Sequence, residues 1–124
     1  MPTIRRFEDL RAWQKARILA RDVYEISGHG AFARDFTLKN QVRDAAGGVM
    51  HNIAEGFDSG YDNEFIRFLR IARRSATEVQ SEFYIALDMQ YVDQTTFDRI
   101  YDEAEDCKRS INGLIAYLRR SNRT

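Results

Sequence analysis

Apolar residues recur at three- and four-residue steps along almost the whole chain, a period that packed helices satisfy and strands do not. At about 100° per residue, Ala12, Ala16, Leu19, Ala20, Val23 and Ile26 fall on one face, with Trp13 at its border. A second stripe runs Leu38, Val42, Ala45, Val49 and Ile53. The third and longest is Phe65, Phe68, Leu69, Ala72, Ala76, Val79, Phe83, Ala86 and Leu87, and the fourth is Phe97, Ile100, Ala104, Cys107, Ile111, Leu114 and Leu118. Strand-type alternation is absent, and a single proline is available to interrupt a helix.

Punctuation divides these stripes. Glu8 and Asp9 carry the negative charge that suits a helix start, and Ser27-Gly28-His29-Gly30 supplies a stop. Thr37 has the chemistry of an N-cap, Asp62 precedes the third stripe, and Thr95 with Asp98 has capping-box spacing. The spacing predicts helices over about 9–27, 38–57, 63–90 and 96–119, with loose ends at 1–6 and 121–124. Short connections favour antiparallel neighbours, so the expected fold is all-α: an up-down-up-down four-helix bundle in one domain, residues 1–124.

Formal net charge is zero, but the charges lie in blocks. Residues 1–21 hold six basic side chains against two acids, and residues 67–74 hold Arg67, Arg70, Arg73 and Arg74 with no acid. Residues 75–107 reverse this, with nine acids and only Arg99, while 108–124 are basic only. Such blocks belong on different surfaces. Cys107 is the single cysteine, so no disulfide or zinc quartet forms within one chain. No run of 18 apolar residues spans a membrane, and the first 26 residues lack a signal peptide's apolar run. The expectation is a cytoplasmic protein without membrane contact, metal or cofactor.

The stretch GGVMHNIAEGFDSG, residues 47–60, departs from the helical pattern around it. Gly47 and Gly48 fall inside the second helix, where each costs about 1 kcal/mol relative to alanine. Gln41, Gly48, Asn52 and Glu55 form a stripe beside the apolar face, with Asp44 and His51 just beyond it. Small residues here let another helix approach, and Asn52 and Glu55 then serve either that contact or the backbone groups at the helix end near Gly56.

Several blocks in order carry a resemblance. Phe7-Glu8-Asp9-Leu10, Trp13-Gln14-Lys15-Ala16, Thr37-Leu38, Gln41-Val42-Arg43, Asn52-Ile53-Ala54-Glu55-Gly56, and the run from Phe65 to Ala72 followed by Ser75 and Glu78-Val79 resemble the bacterial four-helix-bundle family encoded by intervening sequences in large-subunit ribosomal RNA genes. The likeness covers about residues 7–119. Where relatives carry a Ser-Ile-Pro-Ser-like segment this chain has Gly48-Val49-Met50-His51, and the usual Phe-Pro of the first loop is Phe32-Ala33. The resemblance implies a homo-oligomer, with five bundles around an axis. Gln41, Gly47, Gly48, Asn52, Glu55 and Gly56 would then form an interface or structural polar motif. Kinship with an accessory protein of diversity-generating retroelements adds nucleic acid as a partner by analogy.

The residues suggest further candidates. Arg67, Arg70 and Arg74 share an outward helix face with Arg73 at its edge, a pattern that neutralises phosphates; an Arg74–Glu78 ion pair is the structural counterpart. Ile18, Ile71 and Met89 are apolar outside the core stripes, as a subunit interface requires. Asp44, His51 and Glu55 have the spacing of a weak metal set, which would make a metal-dependent hydrolase. Nucleophile elbow, phosphate loop and dinucleotide fingerprint are missing, and Ser75 and Cys107 lie at packing positions, so no catalytic residue is assigned. The leading expectation is a non-enzymatic homo-oligomeric scaffold with RNA or a nucleic-acid-bound protein as partner. The alternative is a protein-only adaptor.

Overall fold

The computed structural model describes residues 4–121, and every regular element among them is helical. After a 3-10 turn at Phe7–Asp9 come α1 (Arg11–Ser27), α2 (Gly30–Arg34), α3 (Phe36–Asp58), α4 (Asp62–Asp88) and α5 (Gln94–Ser121). The four long helices coincide with the four apolar stripes. Their directions follow from the pairs they bring together. Gly48 meets Ser75 and Gly56 meets Phe65 and Phe68, so α3 and α4 run antiparallel. Arg73 reaches Asn112 while Gln80 reaches Glu105, which sets α5 antiparallel to α4. Since α1 packs on α3 and α5, and Cys107 Sγ donates to the Ala12 carbonyl as Lys15 pairs with Asp106, the order around the bundle is α1, α3, α4, α5.

Leu19, Val23, Val42, Val49, Ile53, Leu69, Val79, Phe83, Ile100, Ile111 and Leu118 are fully buried along the axis. Each such side chain contributes about 1.5–3 kcal/mol by leaving water. Ile66 and Ile115 join this core although the stripes omitted them, whereas Phe68, Leu87, Leu114 and Ile26 lie only partly buried at its edge.

Several expected boundaries are corrected. Glu8 and Asp9 belong to the 3-10 turn, and α1 starts at Arg11 after Leu10. Asp35, not Thr37, caps α3: its Oδ1 accepts from Leu38 N at 3.1 Å, and its Oδ2 accepts the Tyr91 hydroxyl at 2.9 Å. Asp62 is the first residue of α4 rather than its cap. The Thr95–Asp98 box is replaced by Asp93, whose Oδ1 accepts from Thr96 N at 2.8 Å. At α3 and α5 a carboxylate two residues before the expected threonine accepts from an amide of the first turn, and an anion suits the helix dipole; α1 and α4 start without a side-chain cap. At its other end α4 stops without a glycine: Gln90 takes φ 61°, and Tyr91 N donates to the Ala86 carbonyl at 2.8 Å.

The short α2 was not expected. Its Phe32 is buried, stacked on Tyr91 and edge-on to Phe83, and so closes the end of the bundle where α1 and α4 finish. Of the ends expected to be loose, residues 1–3 and 122–124 lie outside the described residues; Ile4 packs against the core instead.

The glycines of the 47–60 stretch have separate uses. A Cβ on Gly56 would stand 2.7 Å from Phe68 Cβ and 2.9 Å from Phe65 Cδ1, so this crossing of α3 over α4 requires glycine. Gly48 is tight but less so, with Ser75 Oγ 3.2 Å from the same construction, while Gly47 has only the ring of His51 nearby, 3.6 Å away. Gly113, on α5, has open space. Overpacking a core costs about 1–3 kcal/mol, against about 1 kcal/mol gained by alanine in a helix. Gly56→Ala therefore lowers the urea midpoint of unfolding, and Gly113→Ala raises stability by up to about 1 kcal/mol, both read from equilibrium denaturation followed by circular dichroism.

Candidate functional site

The close α3–α4 crossing creates a valley on the outside of the bundle. Gln41, Asp44, Gly48, His51 and Glu55 recur along α3 at steps of three and four, and Ile71, Ser75, Glu78 and Glu82 do so along the facing edge of α4. Gln41, Asp44, Ala45, Ser75, Glu78 and Glu82 line one groove. Burial, then the charges of Glu78 and Asp44, raise the Glu82 carboxyl to about 7. Its Oε1 is buried with no hydrogen-bond partner among the described residues. Asn52 does not cross the valley: its Nδ2 donates to the Gly48 carbonyl of its own helix at 2.8 Å. Glu55 and Gln41 are exposed.

The four arginines of α4 divide by partner. Arg67 pairs with Glu64 and lies over the Phe68 ring, and Arg73 donates to Asn112 Oδ1 at 2.6 Å. Arg70 and Arg74 are exposed, and the Arg74–Glu78 ion pair does not form. On α1, Arg6, Glu8, Trp13, Gln14, Arg17, Ile18 and Arg21 line another groove, with Arg17 5.8 Å above Trp13. Ile18 is 43% exposed and Met89 57%, whereas Ile71 is half-buried.

Two polar clusters that periodicity did not single out lie between helices. Gln80, buried, donates to Glu105 Oε1 at 2.9 Å and to the Tyr101 carbonyl at 3.3 Å, and accepts from Lys108 Nζ at 3.1 Å. The Gln80 bond, first among its causes, holds Glu105 below the usual carboxylate range. Between α1 and α5, Asp22 is buried beside Glu103 and held by Arg21 Nε at 3.1 Å. Burial first, and then the Asp22 carboxyl, with which a protonated Glu103 shares a hydrogen bond, raise Glu103 to about 7; Arg99 and Arg21 oppose the shift. No sequence signal marks them: Gln80, Asp22 and Glu103 sit beside the core residues Val79, Val23 and Ala104, but so do the exposed Arg70 and Glu78 beside Leu69 and Val79. Arg43 makes a third bridge, donating to Ser27 Oγ at 2.8 Å and to the Tyr24 carbonyl at 3.0 Å, where it satisfies the last turn of α1.

Nothing in this arrangement points to catalysis. Burial pushes the Cys107 thiol up to about 12, so it carries no thiolate at neutral pH. Asp44, His51 and Glu55 do not converge: among the described residues no three His, Cys, Asp or Glu side chains are grouped to hold a metal ion. No helix among them is long and apolar enough to cross a membrane.

The fold and its surfaces define an all-helical bundle protein, four long helices and one short, whose polar chemistry lies in valleys between helices. The chain belongs to the 23S rRNA-intervening sequence protein family, whose model matches residues 8–113. Its fold is also that of a crystal structure of a protein with unknown function from the S23 ribosomal protein family of Bacteroides thetaiotaomicron. The TM-score is 0.76 at 17% identity, with 84% of this chain and 97% of that one covered. No curated protein matches the chain.

The raised Glu103 has a measurable consequence. Its folded value lies above the unfolded 4.5, so the folded protein binds the extra proton between about 4.5 and 7, and the stabilisation this provides is lost as pH rises through 7. Glu103→Gln keeps a donor for Asp22 without a titrating group. Its urea midpoint relative to the parent chain should therefore rise between pH 5 and pH 8 (about the limits of that window), and a constant difference would exclude this account.

Proposed function

We propose that the protein is a non-enzymatic scaffold assembled from identical bundles, five to a ring, that works in the cytoplasm by holding RNA, another nucleic acid or a nucleic-acid-bound protein against its basic faces. The observation that carries the assembly is the apolar surface left over once the core is complete. Ile18, Ile85 and Met89 are 43%, 49% and 57% exposed on the outer sides of α1 and at the end of α4. A second protein surface gives such side chains a dry partner. The number five is what the family resemblance implies.

Nucleic-acid contact is supported by Arg70 and Arg74, one turn apart, exposed and pointing away from the core. The engagement of Arg67 by Glu64 and of Arg73 by Asn112 favours the second reading, a protein-only adaptor in which arginines organise protein contacts. Filter binding to a structured RNA separates the two. In the scaffold reading, affinity falls steeply from about 50 to 200 mM salt, and replacing both Arg70 and Arg74 by alanine lowers the log–log salt slope by about 1 per arginine. Absent binding, or binding indifferent to salt, leaves the adaptor.

A further inference from the structure

We propose that the valley between α3 and α4 is a socket for the basic, aromatic surface of α1 from a second copy, so that copies join head to tail. This rests on the assembly reading above and specifies its contact.

The groove is negatively charged: its described lining holds Asp44, Glu78 and Glu82 and no lysine or arginine. Asp44, Glu78 and Glu82 make no ion pair with any described residue. At Glu82, burial first and then the nearby charges of Glu78 and Asp44 oppose ionisation. An arriving guanidinium would relieve that repulsion. The valley also has room and an apolar rim. The groove bounded by Gln41, Asp44, Ala45, Ser75, Glu78 and Glu82 opens to the outside, and Ile71 and Met89 continue the α4 edge on either side of the acids.

The α1 surface is its complement. Arg6, Arg17 and Arg21 surround Trp13 and Ile18, with Glu8 as the one acid. Arg17 lies over Trp13, whose ring is partly buried while Ile18 is exposed. Arginine and tryptophan are the residues that anchor interfaces, because each combines a flat apolar area with hydrogen-bond donors. The pairing assigns the three apolar residues that the sequence places outside the core stripes: Ile18 to the plug, Ile71 and Met89 to the rim of the socket.

The contact must be made between molecules. Bundle neighbours of α1 are α3 and α5, and those of α4 are α3 and α5, so α1 and α4 lie diagonally and the plug cannot enter its own socket. Two different patches then meet at each junction, a heterologous contact that propagates until rotation closes a ring.

Light scattering on the full chain tests this, with Arg17→Glu, Glu78→Arg and the double reversal, and with helix content checked by circular dichroism. The parent protein has a mass that is a multiple of 14.5 kDa. Each single reversal raises the dissociation constant at least about tenfold, and the double reversal, which restores opposite charges, recovers most of the loss. An oligomeric parent whose mass neither single reversal changes overturns this contact while assembly stands, as does a double reversal no better than the singles. A parent of one-chain mass at every concentration overturns the assembly reading itself.

Discussion

The crossing of α3 and α4 over Gly56 and Gly48 is the constraint from which the rest of the molecule follows. Gly56 brings the α3 backbone against Phe65 and Phe68, and Gly48 lies against Ser75 two turns away. Each glycine costs about 1 kcal/mol of helix propensity, which close packing on bare backbone offsets, by Phe65 and Phe68 at Gly56 and by Ser75 at Gly48. The resulting proximity sinks Ser75 into the bundle and leaves a valley outside it. Asn52 acts in the same region by donating back to the Gly48 carbonyl, so this polar side chain supports the helix that carries it.

Polar groups in the bundle fall into two kinds. Gln80, Glu105 and Lys108 satisfy one another, as do Arg43 and the last turn of α1, and such networks fix the register of neighbouring helices. Glu82 and Glu103 differ: each has a buried oxygen without a hydrogen-bond partner among the described residues, and each is raised to about 7. A half-desolvated carboxyl at a helix boundary lowers stability in its charged form, so these are the places where pH or an approaching cation acts on the fold.

Family membership describes the frame, and the surfaces of this chain must carry the function. Its bundle carries separated charge: arginines over the outer face of α4, acids in the valley beside them, arginines with Trp13 and Ile18 on α1. Separated charge with apolar side chains between is how a protein recognises another macromolecule, because charge steers the approach and apolar area holds the contact.

The four helices and most of the core were legible in the amino-acid order, because a 3.6-residue period places every core residue relative to its neighbours without reference to the rest of the chain. Helix starts were less so. Thr37, Asp62 and Thr95 look like caps, yet Asp35 and Asp93 do the capping where those carboxylates reach the first amides. The stop of α4 near residue 90 was expected, but its means was not: Gln90 takes a left-handed conformation usually held by glycine, and Tyr91 stacks on Phe32 and bonds Asp35, residues distant in sequence. Likewise the sequence showed that glycines 47, 48 and 56 expose backbone, and only packing decided against what: α4 for two of them, and the His51 ring of its own helix for Gly47. Periodicity is a property of one helix at a time, whereas the identity of the facing helix, and with it the burial of Glu82 and Glu103, exists only once all four have met.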